Sequence, residues 1–406
     1  MENWEILLDK KETYIIGVSG GPDSMALLDM CKKQGYSLVV AHMNYQKRDS
    51  ALRDEEIVRK YCEENGIPCV IRKQNKTCQG NFQAFAREER YRFYKELLDE
   101  YKAQRVLLAH HLDDHLETYL MQKQRKSQGE WHGIKEKTEI FGCPILRPLL
   151  SFTKAQLEMY CKKQGVEFGI DESNLTDDYT RNKIRHEQIE HMTMEEKLDL
   201  AQKIQEENER LLQENKKARH FLSQWDFDVS SLLELDENLR YRCLFLWIKD
   251  KTKTSLSAKQ LSKIQQLLYK KDSWEIPVKD KILYQEYGKL DFDDGSDISY
   301  AYEYNSLKYG KTPYFEISKT GRGVEALTLS EKDFPITIRN VKEADRITLR
   351  FGTKKVHRWF IDRKIPRKQR KVWPVVVNAA NNIVLVPGIG CDIAHFSNNP
   401  NIFVLK

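Results

Sequence analysis

Over the first half of the chain, short apolar, β-branched runs alternate with longer segments whose apolar residues recur at helical spacing. Tyr14–Val18, Ser37–Ala41, Cys69–Ile71 and Arg105–Ala109 have the length and composition of strands. Met25, Leu27, Leu28 and Cys31 form an apolar stripe after the first run, and Phe82, Phe85, Phe93, Tyr94, Leu97, Leu98 and Tyr101 form another before the fourth. Strands that alternate with helices imply right-handed crossovers, so the pattern predicts an α/β domain with a doubly wound, mostly parallel sheet covered on both faces.

The pattern changes twice further on. From His186 to about Trp225 a charged stretch carries only sparse apolar positions, Leu198, Ile204, Leu211 and Leu212, and predicts a long connecting helix. Leu232–Leu235, Leu239–Trp247 and Leu261–Leu268 look helical and Lys281–Leu290 looks like a strand, which predicts a small, mainly helical second domain. Ile336–Val341, Ile347–Phe351, Val372–Asn378, Ile383–Val386 and Ile402–Leu405, punctuated by Gly352, Pro374 and Pro387–Gly388, predict a small β-rich third domain. The expected boundaries are 1–188, 189–328 and 329–406.

A length of 406 residues fits two or three domains at roughly 150 residues each. With 40% hydrophobic and 32% charged residues, the composition excludes disordered and fibrous classes. No apolar run approaches the roughly 20 residues of a membrane span, and the N-terminus lacks a basic segment followed by an apolar one. The expected location is therefore cytoplasmic, with no membrane partner. The eight cysteines include no Cys-x-x-Cys pair, which suits individually packed thiols better than a zinc ribbon, an iron–sulfur cluster or a disulfide framework.

The net charge of +6 conceals an uneven distribution. Arg339 to Lys371 holds 13 basic and 3 acidic side chains, interleaved with Phe351, His357, Trp359 and Phe360. Such a block suits a surface that meets a phosphate backbone, although a solvated lysine-rich face would read the same way.

The strongest chemical signal is Ser19-Gly20-Gly21-Pro22-Asp23-Ser24, between the first strand and a helix. Its glycines let the backbone approach a ligand, while hydroxyls, free N–H groups and a helix N-terminus favour a phosphate. It is not a Walker loop: the single Gly-Lys-Thr, at Gly310–Thr312, has Asn305 where glycine is required. Three further clusters fall at carboxyl ends of the same predicted sheet, where open α/β folds build ligand sites. His42-Met-Asn44 follows the second strand, Ala86-Arg87-Glu88-Glu89-Arg90-Tyr91 lies on the helix before the fourth, and Ala109-His110-His111-Leu112-Asp113-Asp114-His115-Leu116-Glu117-Thr118 follows the fourth. Asp114 and Glu117, three apart on a helix, share a face on which they would hold a metal or an ammonium group. His111 and His115 at i, i+4 suggest zinc, but a sheet with a phosphate loop favours Mg²⁺ or an amine.

Ser-Gly-Gly-x-Asp-Ser after a first strand resembles the PP-loop of the ATP pyrophosphatase superfamily. Together with Arg147-Pro148-Leu149-Leu150, Asp171-Glu-Ser-Asn174, Tyr179-Thr-Arg181-Asn182-Lys-Ile-Arg185 and Val356-His-Arg-Trp-Phe-Ile-Asp-Arg-Lys-Ile-Pro366, the set resembles the tRNA(Ile)-lysidine synthetase family. The resemblance covers almost the whole chain, weakly between about 190 and 330. It implies an ATP-dependent carbon–nitrogen ligase that adenylates the wobble cytidine of a CAU-anticodon isoleucine tRNA and then joins lysine to its C2 carbon. By this similarity Ser19, Gly20, Gly21, Pro22, Asp23 and Ser24 hold the ATP phosphates, Ala41 and His42 lie beside the adenosine, and Asp23 stands near Mg²⁺. Arg87 faces the phosphates or the reacting nucleotide, Asp114 and Glu117 face lysine or the cytosine, and Arg181, Arg185, Arg358, Arg363 and Arg367 contact the tRNA. The resemblance also leaves room for a homodimer.

The chain departs from the family pattern at Tyr45, where many relatives have a second histidine. It also departs at Arg125-Lys-Ser-Gln-Gly129-Glu-Trp-His-Gly133, which keeps two glycines in a bulkier setting, and at Ala344-Asp345-Arg346 in place of Gly-Asp-Arg. Rival readings are a tRNA thiolase, which the missing Cys-x-x-Cys pairs disfavour, and a non-catalytic RNA-binding relative, which the intact loop and both carboxylates disfavour.

Overall fold

In the computed structural model the described residues are 6, 8–46, 50–74, 82–126, 129–169, 179–296, 298–350 and 352–406. The chain divides into two compact units, Met1–Lys217 and Ala218–Lys406.

The first unit contains β1 (Thr13–Gly17), α1 (Pro22–Lys33), β2 (Ser37–Asn44), α2 (Ser50–Glu64), β3 (Cys69–Lys73), α3 (Phe82–Glu100) and β4 (Arg105–Leu107). It continues through α4 (Leu112–Gln124), β5 (Lys137–Ile140), β6 (Cys143–Leu146), α5 (Lys154–Gln164), α6 (Tyr179–Glu187) and most of α7 (Met194–Gln224). Its sheet has the order β3-β2-β1-β4-β6-β5, parallel except for the edge strand β5. Alternate side chains go to opposite faces, as a pleated strand requires. Tyr14, Ile16, Val40 and Leu107 pack with the helix side that includes Leu27 and Leu157, whereas Ile15, Val39 and Val106 pack against Phe93, Tyr94 and Leu97 of α3. Burial on both faces explains why these strands read as unbroken apolar runs. The β5–β6 hairpin was not legible as strands. It turns at Phe141 and Gly142, both at positive φ (49° and 73°), as a two-residue hairpin with right-handed strand twist demands.

Helix α7 hides its packing from a hydrophobicity reading. Ile204 and Ala218 are fully buried, but the intervening buried positions are Asn208 and Asn215, so the inward stripe is half polar.

The second unit begins with α8 (Val229–Leu233), α9 (Glu237–Thr252) and α10 (Ala258–Leu267), followed by the antiparallel sheet β7 (Trp274–Val278), β8 (Lys281–Glu286) and β9 (Lys289–Asp293). The expectation of one strand in a mainly helical region holds only to Leu267. Beyond it come β10 (Ala301–Tyr304), β11 (Gly310–Lys311), β12 (Glu316–Ser318), β13 (Ala326–Leu327), β14 (Ile336–Asn340), β15 (Arg346–Leu349), β16 (Gly352–Lys355), α11 (Val356–Asp362), α12 (Arg367–Lys371), β17 (Pro374–Val377), β18 (Ile383–Val386), β19 (Gly390–Cys391) and β20 (Ile402–Leu405). They form a five-stranded sheet β10-β14-β17-β18-β19, a four-stranded sheet β11-β12-β20-β13 and the β15–β16 hairpin, all antiparallel. Among the described residues no helix is long and apolar enough to cross a membrane, and the described cysteines are unpaired by disulfides.

Candidate active site

Strand order reverses between β1 and β4, and the crevice beyond the carboxyl ends of strands at such a point is where open α/β sheets bind ligands. The β1 end leads into Ser19–Ser24. The Ser24 hydroxyl accepts from the Ser19 N–H at 3.1 Å and donates to the Gly21 carbonyl at 3.0 Å, while Gly21 N–H reaches the Ser19 hydroxyl at 3.4 Å. The serines therefore tie the loop to itself. Gly20 has φ +91°, and a Cβ there would lie 2.9 Å from that of Asp54, so both shape and space select glycine. Helix α1 starts at Pro22 with no side-chain cap on Gly21, which leaves its first N–H groups to a ligand.

The β4 end leads into His110 and into α4, capped by His111. His111 Nδ1 accepts the Asp114 N–H at 3.4 Å, and Asp114 Oδ2 accepts the His111 N–H at 3.2 Å. The same histidine brings the two strand ends together: its Nε2 is 3.6 Å from Asp23 Oδ2 and 3.4 Å from Asp114 Oδ2. Burial raises the Asp23 carboxyl above the usual range, with His111 opposing and the Asp114 charge adding to the rise. Burial also pulls Asp114 upward, but His111, His110 and Arg181 outweigh it and hold that carboxyl below its ordinary value. Asp23 Oδ1 is buried without a hydrogen-bond partner among the described residues. Mg²⁺ usually takes one or two carboxylates and completes its octahedron with substrate phosphates and water. An orphaned oxygen on Asp23, beside Asp114 and a phosphate loop, fits that ion. His115 turns its Nδ1 to the backbone, accepting the Ile134 N–H at 2.9 Å.

His42 is 3% exposed and its Nδ1 donates to the Val18 carbonyl at 2.9 Å. Its Nε2 is consequently an acceptor, buried without a partner among the described residues; burial keeps the ring neutral by lowering its pKa. Ala41 turns its methyl into the core with Tyr91 and Phe93, and its carbonyl accepts the Val18 N–H, which leaves no part of its side chain to a ligand. Arg87 is exposed on α3, 5.1 Å from the Tyr91 ring centroid. Arg90, also on α3, donates to the Tyr45 hydroxyl at 3.0 Å.

Three expected site residues have different surroundings from those the sequence suggested. Glu117 is fully buried: Oε1 accepts Arg185 Nε at 2.6 Å, and Oε2 accepts Arg181 Nε at 2.9 Å and Arg185 Nη2 at 3.1 Å. Arg181 also donates to Asp114 Oδ1 at 3.1 Å. Thus Arg181 and Arg185, expected at the tRNA, are bound to the carboxylates expected at the lysine. Asp171–Asn174 lies outside the described residues.

Two polar groups in the site escaped assignment from sequence. Arg147, 5% exposed, donates through Nε to His110 Nδ1 at 3.2 Å and through Nη1 to the Lys135 carbonyl at 2.7 Å. Burial, with help from Arg147 and Arg181, lowers the His110 pKa to about 4. Their signal was position: each follows a strand at its carboxyl end.

The basic block of the second unit is divided. Arg367 pairs with Glu275 at 2.8 Å, Lys368 with Asp291 at 2.7 Å, Arg370 with Glu286 at 2.6 Å and Lys371 with Asp293 at 3.0 Å, so α12 is neutralised by acidic residues of β7, β8 and β9. Arg363 donates to the Gly388 carbonyl. Arg358 is exposed and, with Lys355 and Lys364, has no ion-pair partner among the described residues.

These features define a nucleotide site of the PP-loop class. Residues 2–192 match the PP-loop domain family, and residues 336–403 match the TilS substrate C-terminal domain. The chain is 30% identical to the tRNA(Ile)-lysidine synthase of Bacillus subtilis, with 94% of this chain and 90% of that one covered. It is 30% identical to the enzyme of the same name from Mycoplasma mycoides, with 93% and 97% covered. A bifunctional TilS/HprT protein of Listeria monocytogenes is 28% identical, and the chain spans only 65% of its length. The chain belongs to the tRNA(Ile)-lysidine synthase family.

Proposed function

We propose that the chain makes lysidine in a CAU-anticodon isoleucine tRNA, using ATP and L-lysine. The observation that carries this reading is the meeting of Asp23, from the phosphate loop, with Asp114, from α4, about the His111 imidazole. It puts a nucleotide-phosphate cradle and a carboxylate site within one crevice.

In the first step the cytosine O2 attacks the α-phosphorus, and the bond from that phosphorus to the bridging oxygen breaks to release pyrophosphate. Uncapped N–H groups of the first turn of α1 meet the charge that develops on the phosphates. Mg²⁺ held by Asp23 would supply further neutralisation of the phosphate oxygens. The bare Nε2 of His42 offers an acceptor for an adenosine amino or hydroxyl proton, and exposed Arg87 is free to approach the phosphates. In the second step the lysine Nε, having lost its ammonium proton, forms a bond to C2, and AMP leaves with the former O2. Asp114 is the carboxylate better suited to orient that ammonium, because Glu117 is enclosed and already saturated by two guanidinium groups. Glu117 instead fixes Arg181 and Arg185.

The three-part division at 188 and 328 is retained as a functional proposal: a catalytic part, a connecting part that is helical as far as Leu267, and a basic part that holds the tRNA body. A homodimer and a cytoplasmic location belong to the same reading. The test is to incubate the protein with ATP, Mg²⁺, lysine and the unmodified tRNA, digest the RNA and seek lysidine by mass spectrometry. A lysine-dependent adduct at the wobble cytidine is expected; its absence while the tRNA is bound would refute the reading.

A further inference from the structure

Asn208 lies on α7 and is 3% exposed. Its Oδ1 accepts the His132 N–H at 2.7 Å, and its Nδ2 donates to the His132 carbonyl at 3.0 Å. One amide thus holds both polar groups of a single peptide residue, which fixes that residue in register and orientation. Two turns later Asn215 donates to the Glu130 carbonyl at 3.4 Å. From the other side, α4 supplies Gln122, which accepts the Gly133 N–H at 2.8 Å, and His115, which accepts the Ile134 N–H at 2.9 Å. Gly133 has φ +70°, and a Cβ there would lie 2.5 Å from His115 Cε1, so this close approach requires glycine.

The clamped segment ends at Lys135, whose carbonyl receives Arg147 Nη1 at 2.7 Å. The same guanidinium donates through Nε to His110 Nδ1 at 3.2 Å. A guanidinium has no acceptor, so Nδ1 must present its lone pair and the ring proton must sit on Nε2. That Nε2 has no hydrogen-bond partner among the described residues.

We propose that Asn208 is a positioning residue for the reaction: by clamping residues 130–135 it places the Lys135 carbonyl that orients Arg147, and Arg147 in turn holds His110 as the Nε2–H tautomer at the carboxyl end of β4. The consequence rests on the lysidine-forming reading: a neutral N–H donor is fixed beside the crevice in which phosphate charge develops. A long helix that a hydrophobicity pattern assigns to connection alone is then part of the catalytic architecture.

The experiment compares ¹⁵N-histidine-labelled wild type with Asn208→Ala at neutral pH, with His110→Gln used to assign the His110 ring signals. Wild type is expected to show protonated Nε2 and unprotonated Nδ1 at His110, and Asn208→Ala to show averaged tautomers. In steady-state lysidine formation the variant should lose roughly tenfold to a hundredfold in kcat, with KM for the tRNA within about twofold of wild type. Lys203→Ala, exposed on the same helix, should change neither. If Asn208→Ala does not fold, Asn208→Asp carries the same comparison, because it keeps the acceptor for the His132 N–H and loses the donor to its carbonyl. An unchanged tautomer overturns the proposal, and so does a changed tautomer with unchanged kcat. Should the wild type make no lysidine, the functional reading fails, and the tautomer comparison still decides the positioning.

Discussion

Arg185 grips Glu117 with two parallel hydrogen bonds, Nε to Oε1 at 2.6 Å and Nη2 to Oε2 at 3.1 Å, over a carboxylate that is wholly enclosed. Burial lowers the Arg185 pKa, and the Glu117 bonds outweigh it, so the charge is retained. Removing one member of such a pair strands the other. Glu117→Gln should therefore destabilise the α4–α6 contact by about 3 kcal/mol, which is roughly a hundredfold faster hydrogen exchange in peptides from those helices. Asp114→Asn should leave that exchange much closer to wild type while reducing lysidine formation more than it reduces stability. Equal exchange in Glu117→Gln and wild type would show that the pair is not holding α6 in place.

Asp23 illustrates the opposite trade. Burial raises its pKa in the folded chain, so its ionisation opposes folding. The contribution of the neutral acid is fully present below the unfolded value of about 3.9 and is lost as pH rises through the higher folded value. At neutral pH the charge is a cost. Asp23→Asn is expected to raise the melting temperature of the ligand-free protein and to lose the stabilisation that ATP with Mg²⁺ gives wild type, about 2.7 kcal/mol at a hundredfold excess over Kd. A variant that melts lower without ligand, or that keeps the ATP–Mg²⁺ shift, would contradict this.

The site was legible where chemistry and position coincide. Ser19–Ser24 follows an apolar strand and precedes a stripe with helical period, so its place at the carboxyl end of a strand could be deduced from local pattern alone. Glu117 shows the limit: a carboxylate on the same helix face as Asp114 reads as a second ligand, and only tertiary packing reveals that Arg181 and Arg185, more than sixty residues away, consume it. Asn208 carried no signal at all, because a buried amide interrupts the apolar period that marks an inward helix face. In the second unit β18 (Ile383–Val386) was legible to the residue as a short buried run. By contrast β7 mixes Trp274 and Pro277 with charged neighbours, and the pattern did not separate it from the helices before it.

His395 supplies a pH test away from the site. Its Nε2 is 2.9 Å from Asp333 Oδ1 and its Nδ1 is 2.5 Å from Asp392 Oδ1. Burial disfavours the imidazolium, but Asp333 and Asp392 overcome this and raise the pKa. Burial also pulls the Asp333 carboxyl up, while His395, Ser330 and Asn378 bring it down to about 2. The His395 contribution is thus fully present below its unfolded value of about 6.5 and is lost as pH rises through the folded one. The Asp333 contribution is present above about 3.9 and is lost as pH falls toward its folded value. His395→Gln should destabilise the second unit most near pH 6, with the difference from wild type shrinking in alkaline solution. A pH-independent difference in urea midpoint would exclude a charged His395.

The division of the basic block gives its two halves separable phenotypes. Arg367 and Arg370 are tied to Glu275 and Glu286, and Arg367 also lies 5.2 Å from the Tyr284 ring centroid. A side chain already neutralised within its own unit displaces few counterions when RNA arrives, whereas Lys355, Arg358 and Lys364, without ion-pair partners among the described residues, displace one for each phosphate they meet. Replacing Arg358 and Lys364 with alanine should therefore weaken tRNA binding and reduce the slope of log affinity against log salt by roughly one for each lost contact, with little change in melting temperature. Replacing Arg367 and Arg370 should lower the melting temperature, because Glu275 and Glu286 lose their partners, and should change the salt slope less. Arg363 belongs between the two: its guanidinium is exposed but fixed on the Gly388 carbonyl, so alanine there should affect both readouts. Filter binding across a salt series, paired with melting curves of the same variants, separates these cases. Equal salt slopes for the two double variants would mean that the α12 arginines release their acidic partners on meeting RNA, and that the ion pairs are a resting state of the tRNA surface.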